Sequence, residues 1–170
     1  MMGDLKWDLS RLDNGELSAL RRSAGMSISK ASMTALRAFY KACGYCDPRF
    51  EEAWFPAVCM EALWRYGDGI TVRCMEECLR YLKKADEKTT QSLQHRIDML
   101  LETPRDMNGY LLGKLLNLVK IIKSKTNLKP DFQVLAKDIY HWNDENRRVQ
   151  RRWLSTLYNN KPEENDEEEE

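Results

Sequence analysis

YLLGKLLNLVKIIKSK, residues 110–125, decides the fold. At about 100° per residue, Leu112, Leu115, Leu116, Leu118, Val119 and Ile122 fill one broad arc, while Lys114, Asn117 and Lys120 lie off it. The stretch predicts a core helix with a basic outer side. No run of alternating β-branched residues competes with it elsewhere. The one Asn-Gly, at Asn108, lies between helical patterns rather than between strands.

Working towards the N-terminus, Pro104 stops a helix over LQHRIDMLLET, restarted by Thr89, Thr90 or Ser92 after a helical ITVRCMEECLRYLKKADEK. Gly67 ends RFEEAWFPAVCMEALWRYG, which Asp47 caps with Pro48 at the first helical position and Pro56 bends or breaks. Ser29 or Ser32 opens MTALRAFYKACGY, Asp13 or Asn14 caps ELSALRRSAG, and GDLKWDLSRL makes a short first helix with Leu5, Leu9 and Leu12 on one side. Towards the C-terminus, Asn127, Lys129 and Pro130 form a connection and Asp131 caps FQVLAKDIYHW. The last helix either runs on from there or restarts near Asp144. It turns Trp142, Val149, Trp153 and Leu157 inward and Arg147, Arg148, Arg151 and Arg152 outward. The expectation is an all-α protein of seven to nine helices in two small bundles, residues 1–92 and 93–160, with a disordered acidic tail at 161–170.

A formal net charge of zero conceals an uneven distribution, because the last ten residues, KPEENDEEEE, hold one lysine against seven acids. Without them 26 basic residues face 20 acidic ones, and residues 96–160 carry 12 against 7. A basic surplus on a folded body points to nucleic acid, and an acidic tail competes for the same surface or aids solubility. No run of eighteen apolar residues and no basic start before an apolar block exists, which argues against a membrane span or signal peptide and for a cytoplasmic protein. Five cysteines, an odd number, fit free thiols in a reducing compartment.

Catalytic candidates are few. His95 and His141 are the only neutral-pH bases, and neither stands in a HExxH pattern or near a glycine-framed serine. CGYC, Cys43 to Cys46, has the spacing of a zinc half-site to which Cys59, Cys74 or Cys78 could add. Yet Cys43, Cys59 and Cys74 fall on apolar helix positions, where a free cysteine acts as a small hydrophobe, so neither metal nor cofactor is expected. No glycine-rich phosphate loop occurs.

Basic positions are the stronger candidates. Arg21 and Arg22 close a short helix, Arg96, Arg105, Lys114 and Lys120 follow on consecutive segments, and Arg147, Arg148, Arg151 and Arg152 finish the set. Phosphate recognition needs positive donors spread along a path that follows the nucleic-acid backbone. A solvated bundle surface is the plain alternative.

LDNGELSALRRSAG (Leu12 to Gly25), ALRAFYKACGY (Ala35 to Tyr45), LQHRIDMLLETPRDMNGYLLGKLLNLV (Leu93 to Val119) and FQVLAKDIYHWNDENRRVQRRWLSTLY (Phe132 to Tyr158) together resemble the small subunit of the type I-E CRISPR complex Cascade, the CasB family. The resemblance implies a helical, non-catalytic subunit, present beside a second copy of itself and next to the crRNA-bearing backbone subunits and the large subunit of the ribonucleoprotein. It further implies a basic surface for the target strand and the displaced strand of the R-loop. Arg21, Arg22, Arg96, Arg105 and Lys114 match the family's basic positions, and Arg147, Arg148, Arg151 and Arg152 match as a group. Arg65, Arg73 and Arg80, within or beside GDGITVRCMEECLRYLKKADEK, stay unassigned, and the polyglutamate end departs from the pattern. Two other readings use the same residues: a helix-turn-helix regulator with RRVQRRW in a major groove, and a helical adaptor that binds only protein.

Overall fold

The computed structural model describes residues 7–64, 70–85, 88 and 90–159. Leu5, Arg65, Gly67, Thr89 and the acidic tail lie outside the described residues. Among those described, eight α-helices follow one another: α1 (Asn14–Arg22), α2 (Met33–Cys43), α3 (Glu51–Glu61), α4 (Met75–Ala85), α5 (Thr90–Glu102), α6 (Tyr110–Lys125), α7 (Phe132–Tyr140) and α8 (Arg148–Tyr158). Two strands, β1 (Thr71–Arg73) and β2 (Leu128–Pro130), pair in parallel with Thr71 opposite Leu128.

Local chemistry sets several helix starts. Asp13 accepts from the Glu16 backbone N–H at 2.8 Å while the Glu16 side chain accepts from the Asp13 N–H, a reciprocal cap that satisfies two otherwise orphaned donors of α1. Ser32 caps α2 through the Ala35 N–H, and Asp131 caps α7 through the Gln133 and Val134 N–H groups. Gly25, with φ of 83°, lets the chain turn beyond α1 against Leu116 of α6, where an added Cβ would lie 2.8 Å from a leucine methyl.

α3 is the central element. Every residue from Ala53 to Met60 is buried, so the helix is apolar all round and must be covered on all sides. It packs against α7, α1 and α6, while α4 packs against α8, α5 and α6. Edge-to-face aromatic pairs mark the contacts: Trp7 with Trp54 at 5.2 Å, Phe39 with Phe55 at 5.4 Å and Trp142 with Trp153 at 5.5 Å between ring centroids. One cluster of buried side chains runs from Trp7 to Leu157. The α3–α7 and α4–α8 contacts cross residues 92 and 93. The division there into two folding units stands as a proposal, which expression of either half alone would test.

Three local expectations are corrected. Residues 71–73 form β1 instead of opening a helix, because Thr71 and Val72 are β-branched and the segment finds a partner in 128–130. The Asp131 N–H then donates to the Arg73 carbonyl at 2.8 Å, and α4 starts only at Met75. Near the N-terminus, the described part of the expected first helix is a 3₁₀ turn at Leu9–Arg11 capped by Asp8. Asp47 and Pro48 open a turn in which the Asp47 carboxylate accepts from the Arg49 N–H; α3 begins at Glu51 and runs through Pro56 unbroken. Of the two readings of the last helix, the restart is the one observed: α8 begins at Arg148, after Arg147 adopts a left-handed conformation with φ of 51°.

Candidate nucleic-acid interface

Arg21 and Arg22 end α1 but do different things. The Arg21 Nε donates to the Ala62 carbonyl at 2.6 Å, which fastens α1 to the end of α3, whereas Arg22 is exposed. Because Gly25 touches Leu116, this arginine pair lies beside the helix that carries Lys114 and Lys120. Those two lysines are six residues apart, hence about 120° apart around α6, and do not share one face. Lys120 is exposed and Lys114 half-buried.

α5 buries Leu93, Ile97, Leu100 and Leu101 and leaves Arg96 outside. Arg96 and Lys125, the last residue of α6, line one cleft of about 440 Å³. Lys125 is missing from the sequence-derived set. On its own helix it is simply one more basic residue of the last turn, and only the approach of α5 makes it a partner of Arg96.

Arg105 and Arg147 are brought to the same end of the molecule. Trp142 donates from Nε1 to the Thr103 carbonyl at 2.8 Å. One residue on, Asn143 Oδ1 accepts from the Arg105 N–H at 3.0 Å and its Nδ2 donates to the Arg105 carbonyl at 2.7 Å. Thr103, Asn143 and Arg147 then surround a smaller cleft of about 270 Å³. Arg105 also borders a cleft of about 440 Å³ beside the 3₁₀ turn Ile28–Lys30.

The arginines of α8 are not equivalent. Arg151 is exposed and makes no ion pair with a described carboxylate. Arg148 pairs with Asp144 at 2.7 Å on the surface, and the Asn146 backbone N–H, then Arg148, hold the Asp144 carboxyl below the usual carboxylate range. Arg152 lies outward as expected, yet its guanidinium reaches Glu76 at 3.1 Å and Asp138 at 2.5 Å, two carboxylates buried beneath it. Its charge is therefore engaged at the surface, since buried carboxylates need compensation.

Of the ten positions, Arg21, Arg22, Arg96, Arg105, Lys114, Lys120, Arg147 and Arg151 form no ion pair with another described residue, Arg21 being bound to the Ala62 carbonyl. His95 and His141 are both exposed. Cys43, Cys46, Cys59 and Cys78 are buried, and burial pushes the Cys43 thiol up to about 12 and the Cys46 thiol to about 11. Among the described residues no cluster of three or more His, Cys, Asp or Glu side chains could hold a metal ion. None of the described helices is long and apolar enough to cross a membrane.

These features define a class: a mostly helical protein with unpaired cationic side chains, of which Arg96, Arg105 and Arg147 line open clefts. The family model described as CRISPR-associated protein Cse2 matches residues 16–158. The chain belongs to the Cse2 family, the small subunits of the type I-E Cascade complex. It is similar in structure to CasB from M. ruber, with a TM-score of 0.67 at 17% identity over 88% of this chain and 87% of that one. A Cse2-family CRISPR-associated protein from Thermus thermophilus gives a TM-score of 0.66 at 23% identity over 89% and 93% of the two chains. A structure of CasB from the same species gives 0.65 at 25% identity over the same shares, 89% and 93%. No curated protein matches the chain.

Proposed function

We propose that this chain is a non-catalytic Cascade subunit whose basic surface holds the target strand and the displaced strand while the crRNA pairs with its complement. The observation that carries this reading is that eight of the ten candidate cations have no carboxylate partner among the described residues, on a member of the Cse2 family. R-loop formation exchanges one duplex for another of similar stability, so contacts to strand backbones tip the balance without reading bases. In this reading the partners are the backbone and large subunits, the crRNA they carry, target DNA and a second copy of the chain in the cytoplasm.

A helix-turn-helix is the weaker reading. The α8 face with Val149, Trp153 and Leu157 is buried, Arg152 is engaged by Glu76 and Asp138, and the link from α7 to α8 is hooked to the Arg105 loop. Co-expression with a CRISPR array and the other Cascade subunits tests the proposal, with copurification of this chain and crRNA expected. Charge reversal at Arg22, Arg96 and Lys114 is expected to leave assembly intact and weaken the R-loop. An R-loop of unchanged stability in the assembled complex would point instead to a protein-only adaptor.

A further inference from the structure

The cleft between α4, α5 and α6 has a composition that backbone contact alone does not require. Leu82, Leu93 and Ile121 make apolar walls, Arg96 and Lys125 supply two cations, and no acidic residue is among the described lining. Neither cation forms an ion pair with a described residue. At about 440 Å³ the cleft lies within the ~300–1,000 Å³ of small-ligand pockets. A phosphate gripped from a duplex backbone needs cations and hydrogen-bond donors and gains nothing from a recess of leucine and isoleucine. A ligand with a flat apolar face and an anion attached nearby uses both parts.

We propose that this cleft takes one unstacked nucleotide of single-stranded DNA, its base against Leu82, Leu93 and Ile121 and its phosphate on Arg96 and Lys125. The assignment rests on the DNA-binding reading above and adds contact with a base. Bases in a duplex are stacked and paired and do not enter; those of a displaced strand do. The one uncharged polar side chain of the described lining, Ser92, both donates and accepts and so fits any base edge, which keeps sequence tolerance, with a preference for thymine because its methyl group adds apolar area. A surface indifferent to sequence thereby distinguishes single strands from duplex.

The test compares binding of the full chain, by fluorescence anisotropy at about 50 mM salt, to a thymidine oligomer, to the same oligomer with abasic sites throughout, and to a duplex of equal length. The thymidine strand is expected to bind about fivefold tighter than the abasic one, the lower end of what one base contact contributes. Ala85→Leu, at an exposed position on the cleft rim, fills the recess without changing charge or offering a ring for stacking. It is expected to erase the difference between the two strands and leave duplex binding unchanged. Equal affinity of the unaltered chain for thymidine and abasic strands, or discrimination that persists in Ala85→Leu, would overturn the nucleotide site and leave backbone binding standing. Failure to bind any of the three ligands would sink the DNA reading itself, and the cleft assignment with it.

Discussion

Arg152 of α8 lies 2.5 Å from Asp138 of α7, a carboxylate that is only 3% exposed. Trp153 Nε1 donates to the same carboxylate oxygen at 3.1 Å, and Glu76 of α4 takes a second arginine contact. Three helices from distant parts of the sequence therefore meet at one guanidinium. Arg152→Ala leaves two buried carboxylates uncompensated and is expected to cost about 2 kcal/mol of unfolding free energy, below the ~3–5 kcal/mol of a fully buried pair because solvent reaches the arginine. Arg151→Ala, one residue earlier and exposed, should stay within about 0.5 kcal/mol. Urea denaturation of both variants measures the contrast, and equal losses would show that the buried pairs are not what matters.

The same division predicts salt dependence. Each cation that neutralises a phosphate contributes about 0.7 to the slope of log affinity against log salt for a single strand. Arg96→Ala and Lys120→Ala should each flatten that slope by about this amount in titrations over a series of salt concentrations. Arg152→Ala should not, since its charge is already spent on Glu76 and Asp138. A slope unaffected by Arg96→Ala would remove that residue from the interface.

Deletion of residues 161–170 should leave the thermal midpoint unchanged and strengthen non-specific DNA binding roughly twofold. The segment removed carries six glutamates and Asp166 against one lysine, so the deletion takes away charge that competes with phosphate. Equal affinities with and without the segment would confine it to solubility.

Cysteine chemistry gives a check on the core. Burial pushes the Cys78 thiol, like that of Cys43, up to about 12, and it raises Cys59 as well. These thiols stay neutral in the native protein through about pH 8, and the half-buried Cys74 is the expected first site of maleimide labelling. Mass spectrometry after brief labelling reads the order. The stability tied to these groups is complete below the ordinary thiol value and declines as pH rises from there towards the raised native values. Early modification of Cys59 in the native state would contradict the packing of α3.

α6 shows how much of the fold was open to sequence reading. Its 16 residues repeat the helical period so regularly that span, buried arc and outward Lys120 all follow from spacing. The Ser32 and Asp131 caps were readable for the same local reason. β1 was not, because three residues become a strand only when 128–130 arrives from elsewhere in the chain. At the candidate site, Arg22, Arg96 and Arg151 were legible as basic residues opposite apolar arcs. The outward position of Arg152 is equally legible but its ion pairs are not, because the partners are 76 and 14 residues away, and Lys125 gains meaning only from a tertiary cleft.

Asn143 grips the peptide unit of Arg105 by both its acceptor and its donor, so two loops from different parts of the chain move as one. The backbone spacing between the two loops is consequently a fixed gauge. In the DNA-binding reading proposed above, a strand that reached both would conform to that spacing rather than set it.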